Sequence, residues 1–201
     1  MKIGIMGGTF NPVHNGHLAL ATAAKEAAAL DEVWFMPSGL PAHKSNSELL
    51  PAKDRLTMVQ LAIADIPAFQ ASSFEIDRAG FTYTADTMEA LTKEFPQHEF
   101  YFIIGGDSLM KFHHWVKPEV ISAHTTLLAA GRDDFSKEAL LQQAERLYDQ
   151  FGTRVQLIDM PKYPISSNQI RSKIKENEYG FIQKFLSNTV FVYILKHELY
   201  K

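Results

Sequence analysis

The sequence contains no cysteine, no long apolar run and no excess of basic residues. Among 201 residues, the lack of cysteine excludes disulfides, thiolate catalysis and cysteine-based zinc sites, and it permits a reducing compartment without proving one. No run approaches the roughly 20 apolar residues of a membrane-spanning helix, and the N-terminal Met-Lys leads into a strand and glycines, not into a signal segment. A net charge of −3 gives no indication of nucleic-acid or anionic membrane binding. We therefore expect a cytoplasmic protein.

What the chain does contain is a regular alternation of strand-like and helix-like segments. With 46% hydrophobic residues it can bury one good core, so we expect a single domain over residues 1–201. Strands are predicted at 3–6, 32–36, 69–76, 100–104, 125–130 and 154–158. Helices are predicted at 18–30, about 53–66, 84–95 and 137–151, followed by a C-terminal helical part at about 166–201. This order predicts an α/β fold: a Rossmann-like, doubly wound, mainly parallel sheet with helices on both faces and a small C-terminal helical region.

The segment between the first strand and the first helix carries the strongest pattern. Gly7-Gly8 leaves the strand, and His14 and His17 stand about one turn apart where the helix opens. Backbone N–H groups and the helix dipole can hold an anion there with both imidazoles facing it, which indicates a site for a nucleoside triphosphate. Each part also has a plain structural interpretation, with the glycines as an ordinary turn and the histidines as helix caps.

A metal is the other ligand that two such histidines would suit. A zinc site needs a third ligand, for which His113-His114 is the nearest-looking candidate, and nothing in the sequence brings these groups together. No protein-held metal site is predicted. The segment matches neither Gly-x-Gly-x-x-Gly nor the lysine-containing P-loop.

Three unusual segments, 7–17, 37–44 and 105–108, each follow a predicted strand. Ligands of open parallel sheets lie outside the carboxyl ends of the strands, so these segments are expected to form one active site. Near it, Lys44 would neutralise charge on a leaving pyrophosphate, Trp115 would stack on a planar heterocycle, and Arg132 would bind phosphate. The plain alternatives are a solvated lysine, a core tryptophan and a loop arginine.

Two further segments have both a structural and a chemical interpretation. Ser166-Ser167-Asn168-Gln169-Ile170-Arg171 reads as a helix start whose serines either only cap the helix or, with Arg171, bind phosphate. Glu75 and Asp77 fall on one side of an extended segment, as a general acid and base would, but a solvated strand edge is the better interpretation.

Taken together, these residues resemble the nucleotidyltransferase superfamily. Gly8-Thr9-Phe10-Asn11-Pro12-Val13-His14-Asn15-Gly16-His17 and the segment 165–171 are similar to its two signatures, G-x-F-x-P-x-H-x-G-H and I-S-S-T-x-I-R. Within the superfamily the chain most resembles the bacterial nicotinate-nucleotide adenylyltransferases, through the segments Trp34–Pro37, Pro41–Lys44, Tyr83–Thr87, Ile104–Asp107 and the lone Trp115. The resemblance covers essentially the whole chain. It implies transfer of the adenylyl group from ATP to nicotinate mononucleotide, giving deamido-NAD and pyrophosphate.

The resemblance also implies a role for each matching residue. His14, His17, Lys44 and Arg171 would be the catalytic residues. ATP would be bound by Gly8, Thr9, Phe10, His14, His17, Gly105, Asp107, Ser166, Ser167 and Arg171, and the mononucleotide by Lys44, Thr84, Trp115 and Arg132. Mg²⁺ would be carried on the ATP phosphates without a protein carboxylate cage. Because the family forms dimers and larger assemblies, a homodimer is compatible with the resemblance.

The sequence departs from the family pattern at three places. Asn168 replaces the usual threonine of the second signature, and Asn11 stands where aspartate is common; both can still form hydrogen bonds. Asp133-Asp134 follows Arg132 where the family often has Pro-Gly, which puts two acidic groups beside a predicted phosphate ligand.

Three alternatives stay open. Pantetheine-phosphate adenylyltransferases share the chemistry, but that branch is shorter and usually has threonine at the position of His14. Nicotinamide mononucleotide is a harder acceptor to exclude, because backbone groups would recognise the carboxylate. A nucleotide-binding sensor without catalysis is disfavoured because His14, His17, Lys44 and Arg171 are all present.

Overall fold

The chain folds around a parallel sheet, seen in a computed structural model that describes residues 1–41, 49–131, 135–160 and 163–201. Its strands are β1 (Lys2–Gly8), β2 (Glu32–Pro37), β3 (Leu40–Pro41), β4 (Phe69–Ala71), β5 (Phe81–Thr82), β6 (Glu99–Gly105), β7 (Thr126–Ala130) and β8 (Val155–Ile158). Within the described residues, six strands pair in the order β4-β2-β1-β6-β7-β8, every neighbouring pair parallel. β3 and β5 pair separately.

The helices connect successive strands of the sheet and then close the chain. They are α1 (Asn15–Ala28), α2 (Ala52–Ile63), α3 (Thr84–Glu94), α4 (Gly106–Lys111), α5 (Pro118–His124), α6 (Lys137–Phe151), α7 (Ser167–Lys175), α8 (Tyr179–Ile182) and α9 (Asn188–Lys196). None of the helices in the described ranges is both long and apolar enough to cross a bilayer.

Side chains alternate between two cores, one on each face of the sheet. In β6, Phe100, Phe102 and Ile104 join one core while Tyr101 and Ile103 join the other, as the two-residue period of a strand requires. The first core contains buried residues of α3, α4, α5 and α6, and the second contains those of α1, α2, α7, α8 and α9. Such two-sided burial explains the nearly continuous apolar runs of the strands and confirms the doubly wound α/β prediction.

The predicted strand 69–76 is wrong beyond residue 71. Local hydrogen bonds replace sheet pairing there: Ser73 Oγ donates to Asp77 Oδ2 at 2.6 Å, and the Asp77 N–H donates to the Ser73 carbonyl at 2.9 Å. Serine and aspartate side chains offer the backbone this alternative to a strand. The resulting turn carries Glu75 inward, where only 8% of its surface is exposed. The interpretation of Glu75 as part of a solvated strand edge is therefore wrong.

The predicted buried face of α2 also needs correction. The apolar residues of the helix predicted at about 53–66, Leu56, Val59, Leu61, Ile63 and Ala64, fit one broad face, but the buried positions are Arg55, Met58, Val59 and Ile63, and Ala64 is exposed. The i, i+3, i+4, i+8 spacing of these four residues is the ordinary helical period, with an arginine in its first position. The apolar pattern of the sequence does not reveal Arg55, because a charged residue does not contribute to that pattern.

Candidate active site

A cleft of about 650 Å³ opens at the carboxyl ends of β1 and β6. In the sheet order, the chain winds from β1 toward β2 in one direction and from β6 toward β7 in the other, so the loops that follow β1 and β6 separate and leave a crevice. Predicted site residues that line it are Gly8, Thr9, Phe10, His14, His17, Thr84, Gly105, Asp107, Trp115, Ser166 and Ser167. The structure thus brings together segments that are up to about 160 positions apart in the sequence.

Four helices of the described chain begin at this cleft. α1 begins beside His14, α3 at Thr84, α4 beside Gly105 and α7 beside Ser166, and each of these residues lines the cleft. A helix N-terminus presents N–H groups without intrahelical partners and the positive end of the helix dipole. The cleft is therefore suited to a polyanion even though the chain as a whole has a net charge of −3.

The two signature histidines lie against each other at the start of α1. Their ring centroids are 3.7 Å apart, and the backbone N–H of His14 donates to Nδ1 of His17 at 3.1 Å. Because Nδ1 of His17 accepts this hydrogen bond, the ring proton must reside on Nε2, which makes Nε2–H a hydrogen-bond donor. His17 can therefore cap α1 through Nδ1 and still donate a hydrogen bond to a ligand through Nε2.

Phe10 holds the turn between β1 and α1 in an unusual conformation. Its backbone φ is 47°, a left-handed value that is uncommon for a bulky residue. Its buried ring packs edge-on against His17, with centroids 5.1 Å apart, and against Phe35 at 5.8 Å. These contacts fix the turn and orient the imidazole at the same time.

The start of α7 faces the histidines across the cleft. Ser166 caps the helix by accepting from the Gln169 N–H at 3.2 Å, and Ser167 Oγ donates to the Pro12 carbonyl at 2.9 Å. Both hydroxyls thus have a structural role: Ser166 caps α7, and Ser167 connects α7 to the loop after β1. The first-turn N–H groups of α7 are the part of the segment that is oriented for an anion.

Arg171 lies behind the cleft and is not among the residues that line it. Its Nη1 donates to the Asn11 carbonyl at 2.9 Å and its Nη2 to Asn168 Oδ1 at 2.7 Å. Asn11 Oδ1 in turn accepts from the Leu50 N–H at 3.3 Å and from the Tyr200 hydroxyl at 3.0 Å. The two asparagines that depart from the family pattern therefore do form hydrogen bonds, and they connect both signatures to the C-terminal segment.

The half of the cleft near α3 contains the predicted mononucleotide residues. Trp115 is half-buried, with its indole supported by Phe112 at 5.4 Å and Phe102 at 6.0 Å between ring centroids. Thr84 is the first residue of α3, after Tyr83 at the cap position. The core interpretation of Trp115 therefore describes only part of its surroundings, because the residue also lines the cleft.

Several predicted residues do not contribute a described side chain to the cleft. Lys44, Arg132 and Asp133-Asp134 lie outside the described residues. His113 and His114 are exposed after α4, and no cluster of three or more metal-ligating side chains occurs in the described ranges.

Glu75 also lines the cleft, and the sequence does not indicate it as a site residue. Its Oε1 accepts a hydrogen bond from Thr87 Oγ1 at 2.8 Å, and Thr87 Oγ1 also accepts from Arg78 Nη1 at 3.3 Å. Burial raises the pKa of the Glu75 carboxyl, against opposing contributions from Thr87, Arg78 and Arg55. The hydrophobic residues on either side of Glu75, Phe74 and Ile76, were the available signal that this segment is not a solvated edge.

A larger groove of about 880 Å³ runs between α1 and the end of β8. It is lined mainly by aliphatic side chains such as Leu18, Ala23 and Leu157, and among the described residues its lining includes none of the predicted site residues. The smaller cleft is the candidate active site because the helix N-termini and histidines converge there.

Residues 5–173 of the chain match the cytidylyltransferase-like family model. A protein of Lachnoclostridium phytofermentans named as a nicotinate-nucleotide adenylyltransferase is 46% identical over 199 residues, which cover 99% of this chain and 98% of that relative. A protein of Dehalococcoides mccartyi with the same name is 40% identical, with 100% and 97% of the two chains covered.

Solved structures agree on the fold. The nicotinic acid mononucleotide adenylyltransferase of Plasmodium falciparum complexed with APC has a TM-score of 0.80 at 23% identity, covering 99% of this chain and 96% of that one. The same protein complexed with NaAD has a TM-score of 0.79 at 24% identity, covering 99% and 97%. At these identities the likeness concerns the Rossmann-like architecture.

The buried carboxyl of Glu75 generates a prediction about pH. Because its pKa is raised in the folded state, the unfolded chain releases this proton at lower pH, and stability falls as pH rises through the folded pKa. Glu75→Gln removes this titration and keeps an oxygen that can accept from Thr87. The melting temperature of the variant relative to the native protein should therefore rise between pH 4.5 and pH 8, with Glu89→Gln, an exposed carboxylate on α3, as the control. A difference that does not vary with pH would contradict the assignment.

Proposed function

The chain belongs to the cytidylyltransferase-like family and, within it, to the nicotinate-nucleotide adenylyltransferases, and on this basis we propose that it transfers the adenylyl group of ATP to nicotinate mononucleotide. The products are deamido-NAD and pyrophosphate, a step of NAD biosynthesis. The observation that carries the proposal is the convergence of four helix N-termini and two histidines on a cleft whose other half holds a half-buried tryptophan.

The reaction is a direct displacement at phosphorus. An oxygen of the mononucleotide phosphate forms a bond to the α-phosphorus of ATP, while the bond from that phosphorus to the bridging oxygen breaks and pyrophosphate leaves. The nucleophile is already an anion, so no base has to remove a proton from it. The protein must align two polyanions and stabilise the charge that develops, which is catalysis by positioning and electrostatics.

In the ATP half of the cleft, His14 and His17 contact the phosphates. The Nε2–H of His17 donates to a phosphate oxygen, while Thr9 and the neighbouring backbone hold the same anion. The opposite helix start, α7, supplies N–H groups to the triphosphate, and Arg171 acts there from behind through Asn11 and Asn168. The loop and helix start at Gly105–Asp107 bind the adenosine ribose.

In the mononucleotide half, Trp115 stacks on the pyridine ring. Phe112 and Phe102 hold the indole in place, so the stacking surface is arranged before the ligand arrives. Backbone groups at Thr84 and Trp115 recognise the nicotinate carboxylate, with the N-terminus of α3 contributing positive potential. Lys44 and Arg132 are assigned to the phosphates on this side by the resemblance alone.

Mg²⁺ is the proposed cofactor and travels on the ATP phosphates. Its charge would reduce the repulsion between the two polyanions. The donor set of the cleft fits this arrangement, because Asp107 and Glu75 are the carboxylates of the described residues that line it and they belong to different segments. We further propose that the chain acts as one domain in the cytoplasm.

The proposal is tested by measuring pyrophosphate release with MgATP and each of three acceptors. Nicotinate mononucleotide should support turnover at a higher kcat/KM than nicotinamide mononucleotide, and phosphopantetheine should support none above background. Turnover with phosphopantetheine in place of nicotinate mononucleotide would overturn the proposal. Binding of ATP without turnover of any acceptor would favour a sensor.

The role of His17 gives a second prediction. His17→Ala removes a donor to charge that develops in the transition state and should lower kcat by about 100-fold or more. It also removes a helix-cap contact, which costs about 1 kcal/mol, so the melting temperature should change little. His124→Ala, at the opposite end of the sheet, is the matched control and should leave kcat unchanged. A large loss of stability with little loss of activity per folded molecule would mean that His17 only caps α1.

A further inference from the structure

Arg55 in α2 is a fully buried cation that binds three separate loops. Its Nε donates to the Leu50 carbonyl at 3.0 Å and its Nη1 to the Thr9 carbonyl at 2.8 Å. Its Nη2 donates to the carbonyls of Ser38 at 2.6 Å and Gly39 at 3.1 Å. One planar guanidinium thus joins the turn after β1, the loop after β2 and the residues before α2.

Burying an arginine at this core position carries a large desolvation cost. Within the described ranges, Arg55 forms no salt bridge, and its side chain is 0% exposed. A buried charge loses hydration that its partners must replace, and an apolar residue of similar volume is often as stabilising. The four carbonyl contacts therefore point to a function in placing those carbonyls.

The geometry of the peptide bond connects these contacts to the cleft. In a trans peptide the C=O and the following N–H point in opposite directions. Because Arg55 draws the Thr9 carbonyl toward itself, the Phe10 N–H points away from it. Thr9, Phe10 and Ser38 line the cleft, and the left-handed φ of 47° at Phe10 shows that this turn is held in an uncommon conformation.

We propose that Arg55 is a positioning residue for the phosphate site. Its guanidinium holds the loops after β1 and β2 with their carbonyl oxygens turned inward, so that N–H groups and the two signature histidines face the polyanion. It also places a positive charge beneath the triphosphate without contacting it. The inference rests on the proposed function in naming ATP as the polyanion.

The test compares two substitutions of Arg55 with a matched destabilised control. Arg55→Lys keeps the charge but has one nitrogen and cannot reach three loops, and Arg55→Met removes the charge at similar length. Leu147→Ala truncates a buried side chain of α6 in the opposite core and lowers stability without touching these loops. For each variant we would measure the melting temperature, kcat, KM, and binding of Mg²⁺–α,β-methylene-ATP by calorimetry, below the lowest melting temperature.

For Arg55→Lys and Arg55→Met we expect kcat to fall about 100-fold and binding of the analogue to weaken about tenfold per folded molecule. Leu147→Ala should keep both quantities within about threefold of the native values, even if its melting temperature is as low. If both Arg55 variants match the control, Arg55 is only structural and the proposal is overturned. If Arg55→Lys behaves as native while Arg55→Met fails, charge and not the planar fork is responsible, and the positioning claim is also overturned.

The same measurements remain decisive if a variant does not fold or if the native protein shows no turnover. If Arg55→Met does not fold, Arg55→Gln, which retains an amide donor, takes its place in the comparison. If the native protein shows no turnover with nicotinate mononucleotide, the proposed function fails, whereas the calorimetric comparison still decides whether Arg55 positions the phosphate site.

Discussion

The central constraint in this structure is the position of β1 between β2 and β6. From β1 the chain winds to one side of the sheet and from β6 to the other, so the loops that leave these neighbouring strands diverge. The crevice between them cannot be filled by the sheet's own connections. Four helices, α1, α3, α4 and α7, begin at or beside residues that line this crevice, and the anion-binding character of the cleft follows from backbone geometry before any side chain is considered.

Side chains then fix the orientation of the backbone groups around the cleft. Arg55 holds the carbonyls of two loops inward, and Arg171 holds the Asn11 carbonyl and Asn168 Oδ1 on the opposite side. Among the oxygen atoms that the two guanidiniums bind are those of residues that line the cleft, Thr9 and Ser38 for Arg55 and Asn168 for Arg171. A chain with a net charge of −3 thus obtains a local site for polyanions by orienting dipoles, with the buried Arg55 and the partly buried Arg171 behind the loops. Catalysis by alignment and charge stabilisation needs such a preorganised surface more than it needs a nucleophile.

The sequence predicted the fold class, the strands of the central sheet and the convergence of the cleft, because buried parallel strands and helix starts leave strong local patterns. It did not predict the inward turn at Glu75, since hydrogen bonds between Ser73 and Asp77 outcompete strand formation there. It did not reveal Arg55, because the partners of this buried arginine include carbonyls 17 and 46 positions away, outside any short stretch of sequence around it. The placement of Arg171 behind the cleft likewise depends on a contact across 160 positions.

In the proposed reaction the protein aligns the two substrates for a single displacement, and no adenylyl-enzyme forms. The most direct test is the stereochemical course at the α-phosphorus, followed with one diastereomer of ATP that carries sulfur on that phosphorus and with nicotinate mononucleotide as acceptor. A single displacement predicts inversion of configuration in the dinucleotide product. Retention would indicate two successive displacements through a covalent adenylyl-enzyme, and it would contradict the role assigned to the helix N-termini and the two histidines.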